Sequence, residues 1–489
     1  MVTRALEVAA EWSGDEEIVA GALGLAIMTA AKIPLPDQLL VPLRTLQEDY
    51  FTRFPDPKTL QRIDVGEDLA GLVQHMKETM APRTEALQDV ARRVWLGVYP
   101  LAFLTDVTHR SYAEMLITRA LGCRVIAGDP SVADRQRIAA RDALAGGSVV
   151  MDTSALHLLG HTGVADTRLT AQFARIILPA SLRDDVLRAN AGLAVRSVGT
   201  LWWDSTQQRP ALTEFPPEVA DGWAVEAQAL VDRLSLVDVV ADAVGQPEGI
   251  FDAALRLAKD QQLPLWADDL ALRQVAESAG IHAFGTLDLI GVLVESGALA
   301  GEDKDRALDV LAKEGAVDLP VVDRLVEFAR DAGWKPDGYA ALLLARPRSW
   351  IPPEVGFARY KALIGALPQD TDDTSLAQWA EAAATGLSWS SPPPARPRAI
   401  ATLLAWTVLN KPTDAVLPAL LDAGQRVQKA TAPDGDVLAH LVAILAETIS
   451  QVEGPAKTGI VMTRLLGSLD EERRTAAMQL FLSPPRSPT

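Results

Sequence analysis

The chain has a single cysteine, Cys123, among its 489 residues. One thiol cannot form a disulfide within the chain, and it excludes the clustered cysteines of structural zinc sites. Long apolar runs are missing as well, since no stretch approaches the roughly 18 residues of a membrane-spanning helix. The amino-terminal stretch has the pattern of an amphipathic helix with acidic residues, not of a signal peptide. We therefore expect a folded, cytoplasmic protein without a membrane segment.

Positive charge is also scarce. Lys and Arg number 46 against 64 Asp and Glu, which gives a net charge of −18. A chain with this balance lacks the long-range basic field that gathers nucleic acid. The acidic excess is concentrated, because residues 201–300 hold 16 acidic and only 5 basic side chains. This concentration has two interpretations, an acidic surface or carboxylates that converge on a divalent cation.

The motifs of several enzyme classes are absent from the sequence. It has no Gly-rich phosphate loop followed by Lys-Ser/Thr and no GxSxG nucleophile elbow. His157 and His161 are four residues apart and share a helical face, but no Glu lies between them as in the HExxH zinc proteases. We interpret these two histidines as an ordinary core or surface pair.

The residue pattern divides the chain into three regions. Residues 1–145 and 294–489 carry apolar residues at helical spacing, and the last region has a further candidate boundary at the Pro-rich stretch 388–398. In residues 146–293, short β-type runs alternate with helical patterns, which predicts a parallel sheet with helices on both faces. We therefore expect an α/β domain embedded between two mainly α-helical regions.

The central region contains four predicted strands and one predicted hairpin. A long helix is predicted after the hairpin, at 222–245. The predicted strands are 148–152, 174–179, 263–268 and 280–285, and the hairpin is 197–217.

Six aspartates lie at the ends of these strands or in the helices that adjoin them. Ligands of a parallel α/β sheet collect at the carboxyl ends of its strands. Carboxylates packed there repel one another unless a hard cation neutralises them, and oxygen-only ligands favour Mg²⁺ or Mn²⁺. Such an ion suits phosphodiester hydrolysis. The six are Asp152, Asp184, Asp185, Asp252, Asp268 and Asp269.

Several of these residues also have a purely structural interpretation. Asp152, Thr153 and Ser154 are residue types that favour helix caps. Asp184 and Asp185 lie in the first turns of a predicted helix, where acidic residues complement the helix dipole. The residues alone therefore leave capping and metal binding open.

The order of the segments resembles that of PIN-domain nucleases, which are small α/β metal-dependent ribonucleases. VVMDTSAL matches the family's opening strand, which ends in an aspartate followed by small hydroxyl residues. IILPASLRDDVL matches the second motif, with Asp184 or Asp185 where the family has Glu. Residues 251–293 match the late motif, an Asp-bearing helix, a strand, two aspartates and a helix leading to Gly-Thr.

This resemblance implies a metal-dependent endoribonuclease that acts on RNA. The implied Mg²⁺ or Mn²⁺ ligands are the six aspartates, and the catalytic set is Asp152, Asp185, Asp252 and Asp269. Asp269 fits the family's offset better than Asp268. Thr153 and Ser154 are the implied substrate-binding residues. A protein partner would bind through the helical regions, and a homo-oligomer is compatible with the pattern.

Two other functions stay open at this level. The first is an interaction scaffold that keeps the PIN fold without activity, which the altered second motif, the acidic balance and the long helical flanks favour. The second is a toxin or defence effector that a partner protein controls. A metal-binding test separates the first alternative from the nuclease, because a scaffold does not require bound Mn²⁺.

Overall fold

The structure is a computed structural model, and it divides into two compact units. One unit comprises Met1–Thr84 and Thr200–Thr213, and the other comprises Glu85–Gly199 and Glu214–Thr489. No helix among the described residues is long and apolar enough to cross a membrane. Cys123 lies outside the described residues, and the division into three regions stays a prediction. The structure describes residues 2–32, 35–55, 60, 70–120, 124–125, 133–194, 199–204, 207–242, 249–319, 324–411 and 416–482.

The chain before the central sheet is mainly helical, as predicted. In the first unit, the buried Tyr50 packs with the apolar residues of the first three helices and donates a hydrogen bond of 3.0 Å to Glu16. The elements are α1 (Val2–Glu11), α2 (Glu16–Lys32), α3 (Asp37–Arg53), α4 (Ala70–Trp95), α5 (Phe103–Thr108), α6 (Tyr112–Ile117), β1 (Arg124–Val125) and α7 (Ala133–Gly146).

The central region alternates strands and helices. Its elements are β2 (Ser148–Met151), α8 (Thr153–Leu159), α9 (Asp166–Thr170), β3 (Arg175–Pro179), α10 (Ala180–Ala194), β4 (Gly199–Asp204), β5 (Arg209–Glu214), α11 (Pro217–Arg233), β6 (Asp238–Val240), α12 (Ile250–Gln261), β7 (Leu265–Trp266), α13 (Leu270–Ser278), β8 (Ala283–Phe284) and α14 (Thr286–Glu295).

A five-stranded parallel sheet forms the core of this region, in the order β6-β3-β2-β7-β8. In the register of the central strands, Val150 lies between Ile177 of β3 and Leu265 of β7. All three side chains are at most 1% exposed. A run of apolar residues buried on both faces is the expected sequence of a central parallel strand. The predicted α/β fold is therefore confirmed.

The predicted helix at 222–245 is wrong in its second half. Helix α11 ends at Arg233, a 3₁₀ turn follows at Leu234–Leu236, and the chain then forms the edge strand β6 beside β3. The β-branched residues Val237, Val239 and Val240 explain the difference, because they fit a pleated surface better than a helix. Strand β6 supplies the fifth strand, which the sequence pattern did not predict.

The chain after the sheet is helical, and a short strand, β9, pairs with β1 in parallel. Its core includes the fully buried side chains of Trp350, Tyr360 and Trp379. The elements are α15 (Gly301–Lys313), β9 (Ala316–Val317), α16 (Leu325–Asp331), α17 (Tyr339–Ala345), α18 (Pro353–Ala366), α19 (Asp373–Ser390), α20 (Arg396–Asn410), α21 (Val416–Thr431), α22 (Val437–Glu453), α23 (Pro455–Gly467) and α24 (Glu471–Leu482).

Candidate functional site

Two aspartates lie at the carboxyl edge of the sheet, each at the N-terminus of the helix that leaves it. Asp152 follows β2 and caps α8, and Asp269 follows β7 and caps α13. Since β2 and β7 are neighbouring parallel strands, their carboxyl ends meet at one edge. The backbone N–H of Asp152 donates to the carbonyl of Trp266 at 2.9 Å, which continues the ladder to the end of the strand.

The carboxylate of Asp152 is fully buried, and its two oxygens differ. Oδ2 accepts hydrogen bonds from the Ser154 N–H at 2.8 Å, the Ser154 hydroxyl at 2.5 Å and the Tyr112 hydroxyl at 3.3 Å. Oδ1 has no hydrogen-bond partner among the described residues. Burial raises the pKa of Asp152, and the bonds from Ser154 oppose that effect. Capping therefore accounts for one oxygen of Asp152 and leaves the other without a role.

Thr153 and Ser154 line the same turn. The Thr153 hydroxyl is buried, and it has no hydrogen-bond partner in the part of the chain that the structure describes. The Ser154 hydroxyl donates to Asp152 and accepts a 3.0 Å hydrogen bond from the N–H of Asp268, so it joins the ends of the two strands. Their predicted contact with substrate stays a prediction.

Asp269 is held by backbone donors from two directions. Its Oδ1 accepts from the Leu272 N–H at 3.2 Å, which is the helix cap, and its Oδ2 accepts from the Leu101 N–H at 2.6 Å. Burial raises the pKa of Asp269 to about 6, and the nearby charge of Asp152 adds to the increase. The two carboxylates therefore disfavour each other's ionisation, as expected of groups that share one site.

The neighbouring Asp268 is engaged elsewhere. It accepts a 2.8 Å hydrogen bond from the Thr286 N–H and a second bond from the Thr286 hydroxyl. Its Oδ1 also lies 3.9 Å from the guanidinium of Arg273, which is fully buried. Burial raises the pKa of Asp268 to about 6, and Arg273 opposes that increase. These contacts hold Asp268 against the next strand and helix, and its predicted role as a metal ligand stays a prediction.

Arg273 is a buried charge that the sequence reasoning did not single out. Its Nη1 donates to the carbonyl of Ala267 at 2.7 Å, just before the two aspartates. Its charge also lowers the pKa of Asp288, which burial raises. The one signal in the sequence is that Arg273 lies among the apolar residues of α13. That signal is weak, because a single arginine in an amphipathic helix is usually exposed.

The second motif presents two aspartates, and the structure separates them. Asp185 is buried, accepts a 2.8 Å hydrogen bond from the Ala113 N–H and lies 3.4 Å from Arg188. Burial raises its pKa. Asp184 is exposed and pairs with the adjacent Arg183 at 2.6 Å. The side chain of Asp185 is thus the one that turns inward.

Asp252 lies in the first turn of α12 and is half-buried. It forms an ion pair with Arg256, one turn further along the same helix. The contact lacks the geometry of a hydrogen bond, and among the described residues Oδ2 of Asp252 is buried without one. The predicted role of Asp252 as a metal ligand stays a prediction.

A segment far away in the sequence, residues 101–113, lies on the carboxylates; we call it the covering segment. The Leu101 N–H donates to Asp269, the Tyr112 hydroxyl to Asp152 and the Ala113 N–H to Asp185. Burial raises the pKa of Tyr112 well above its ordinary range, so the phenol stays protonated. The sequence offered no signal for these contacts, because two of the three donors are backbone groups.

The donors at this edge are of the type that a divalent metal prefers, although among the described residues no three of these carboxylates have oxygens within 4.8 Å of one another. The groups that face it are carboxylate and hydroxyl oxygens, which Mg²⁺ and Mn²⁺ prefer. Among the described residues, Asp152 Oδ1 and Thr153 Oγ1 are both buried and unpaired, and a buried polar atom without a partner is costly. A bound cation would satisfy Asp152 Oδ1 and lower the pKa values that burial raises.

Comparison with known proteins identifies the sheet region. Residues 150–278 match the family model of a PIN domain associated with the TPR-GreAB-C-PIN system. The match starts within β2 and ends with α13, so it contains Asp152, Asp185 and Asp269. Comparison with curated proteins and with solved structures finds no match. The chain thus contains a PIN-type domain with helical regions on both sides, as the sequence predicted.

Proposed function

We propose that the PIN-type domain of this chain is a metal-dependent endoribonuclease. One observation carries the proposal: Asp152 Oδ1 is fully buried at the carboxyl edge and unpaired within the described residues. Asp269 and Asp185 are buried carboxylates held by the same covering segment. Burying three carboxylates beneath one segment opposes folding, and a cation-binding function gives a reason for that arrangement.

In this proposal, Asp152, Asp185 and Asp269 hold the ion. When bound, Mg²⁺ or Mn²⁺ polarises a phosphate oxygen and lowers the pKa of an attacking water. Ser154 occupies Oδ2 of Asp152 and so directs Oδ1 toward the ion. Asp268 keeps Arg273 neutralised behind the site and does not bind the ion. Asp252 joins the ligands only where its ion pair with Arg256 opens.

The covering segment gates the site in this proposal. Its N–H groups already give Asp185 and Asp269 hydrogen bonds with partial positive charge, in the place of a cation. Metal and RNA therefore enter the site only after these donors move away from the two carboxylates. The matched family model describes a PIN domain associated with a larger system. We therefore include a protein partner that binds the helical regions and releases the segment, and a cytoplasmic RNA as the substrate.

A second candidate function is an inactive scaffold with the PIN fold. The same covering segment favours it, because hydrogen bonds already satisfy Asp185 and both oxygens of Asp269 without a metal. A toxin or defence effector would have the same nuclease chemistry and differ only in its biological setting. A partner protein that controls the covering segment would regulate such an effector in the same way.

Metal binding and RNA cleavage by the full chain test the proposal. Free Mn²⁺ is followed by electron paramagnetic resonance, and cleavage of single-stranded and hairpin RNA is followed with Mn²⁺ or Mg²⁺. We expect Asp152→Asn and Asp185→Asn to weaken binding and cleavage at least about 100-fold, because even partners of metal ligands contribute about 10- to 100-fold. Single-stranded DNA serves as the comparison substrate.

Asp184→Asn is the matched control, since Asp184 is exposed, adjacent to Asp185 and paired with Arg183. It should bind Mn²⁺ and cut RNA as the parent chain does. Cleavage that survives in Asp152→Asn would reject the assignment of the site. A chain that binds no Mn²⁺ and cuts no RNA would favour the scaffold.

A further inference from the structure

Two histidines and a glutamate converge where helix α8 and the turn after it meet helix α11. His157 lies in α8, His161 lies in the turn after it, and Glu226 lies on α11. The His157 side chain is 4% exposed, and those of His161 and Glu226 are 15% and 19% exposed. The sequence pattern contained only the two histidines, because Glu226 is 65 residues further along the chain than His161.

Both imidazoles are directed at the same carboxylate oxygen. Nε2 of His157 lies 2.7 Å from Oε1 of Glu226, and Nε2 of His161 lies 3.0 Å from it. The second contact lacks the geometry of a hydrogen bond, and within the described residues Nε2 of His161 is buried without one. A hydrogen-bonded pair accounts for His157 and leaves Nε2 of His161 without a hydrogen bond.

A metal ion would satisfy all three groups. One candidate ligand atom from each residue lies within 4.8 Å of the other two. Metal–ligand bonds of about 2.0–2.1 Å in a tetrahedral site place neighbouring ligand atoms about 3.3 Å apart. The observed separations of 2.7 and 3.0 Å are shorter than this by roughly 0.6 and 0.3 Å, so the side chains must rotate apart slightly to admit the ion.

The donor set selects the class of metal. Two imidazole nitrogens and one carboxylate oxygen suit Zn²⁺ and related transition metals rather than Mg²⁺, which prefers oxygen. The other ring nitrogen of His161, Nδ1, lies 4.0 Å from Oε2 of Glu314. Metal-bound imidazoles commonly have a carboxylate on that side, which orients the ring.

We propose that His157, His161 and Glu226 bind a transition-metal ion of the Zn²⁺ class, separate from the carboxylate edge. The ion ties α8 to α11. Because α8 begins directly after its cap Asp152, the tie stabilises the helix that carries the opening motif of the domain. This site is independent of the proposed nuclease activity, since none of its ligands belongs to the carboxylate edge.

Cobalt substitution of the full chain tests the site. After removal of metals with a chelator, Co²⁺ is titrated and its visible absorption is recorded, followed by displacement with Zn²⁺. We expect one Co²⁺ per chain to produce the strong visible bands of low-coordinate nitrogen and oxygen ligation, whatever further Co²⁺ the carboxylate edge binds. His161→Ala and Glu226→Gln should weaken its affinity at least about tenfold, because even partners of metal ligands contribute that much.

Two control variants separate this site from others. His282→Ala removes an exposed histidine paired with Asp142, and Asp152→Asn removes the buried carboxylate of the sheet edge. Both should keep the Co²⁺ bands. Circular dichroism verifies folding, and Glu226→Gln, which keeps the side-chain shape, decides the result where a histidine variant fails to fold. Absence of the bands from the parent chain, their survival in Glu226→Gln, or their loss in Asp152→Asn would each overturn the proposal.

Discussion

Asp269→Asn should change how the stability of the metal-free chain depends on pH. Burial raises the pKa of Asp269 to about 6 from its ordinary 3.8, so the folded chain holds this proton over a range where the unfolded chain has lost it. A raised carboxyl pKa therefore favours folding at low pH, and the advantage disappears as the pH rises through about 6. Asparagine cannot ionise and avoids this loss.

The size of the effect follows from the two pKa values. Between pH 5 and pH 7.5, a carboxyl with pKa about 6 when folded and 3.8 when unfolded loses about 1 kcal/mol of stabilisation. The parent chain should thus lose about 1 kcal/mol more than Asp269→Asn over this interval. The assay is urea unfolding in chelator, followed by tryptophan fluorescence, at both pH values.

Asp372→Asn provides a contrast of opposite sign. Asp372 also caps a helix, α19, but it is exposed, and hydrogen bonds from Ser375 lower its pKa. Its contribution is complete above its ordinary pKa and is lost as the pH falls further. The difference between Asp372→Asn and the parent chain should therefore be constant from pH 5 to 7.5 and shrink in stronger acid. A pH-independent difference for Asp269→Asn would refute the reasoning, because that carboxyl would then titrate alike in both states.

Three further substitutions test the packing and the buried charges, each by the free energy of unfolding in urea. Gly386→Ala should lower the free energy of unfolding by about 2–3 kcal/mol, because a Cβ there would overlap a carbonyl and an indole ring. Gly365→Ala is the control: its Cβ would meet nothing within 4 Å, and the substitution should raise the free energy of unfolding by about 0.5–1 kcal/mol. Arg273→Met should lose at least about 3 kcal/mol at pH 7.5 and less at pH 5, because two buried carboxylates would lose their cation and take up protons at the lower pH. Tyr112→Phe should lose about 1 kcal/mol by removing a donor to Asp152, and an unchanged midpoint would argue against that hydrogen bond.

The candidate site was partly predictable because some of its residues follow strands directly. Asp152 and the pair at 268–269 sit where a predicted strand gives way to a helix, and neighbouring parallel strands must end at one edge. The different surroundings of Asp268 and Asp269 were not predictable from spacing alone. They depend on Arg273 and Thr286, whose contacts with Asp268 require the next turn and the next strand to be in place.

The same distinction applies to Asp184 and Asp185. Both lie in one helical turn, and their residue types are identical, so only the face on which α10 packs separates a buried carboxylate from an exposed one. Local pattern also misled the prediction of the helix at 222–245, where the pairing of β6 with β3 overrides a helical interpretation of the valine-rich stretch.

The sequence by itself determined the α/β alternation, the strand that ends at Asp152 and the acidic character of the sheet edge. These depend on periodicity and residue type, which act over a few neighbouring residues. Only the tertiary structure decided which oxygens are occupied, that residues 101–113 cover the carboxylates, and that Glu226 joins His157 and His161. Those contacts link groups far apart in the chain, often through backbone N–H groups that every residue except proline carries, so no local pattern encodes them.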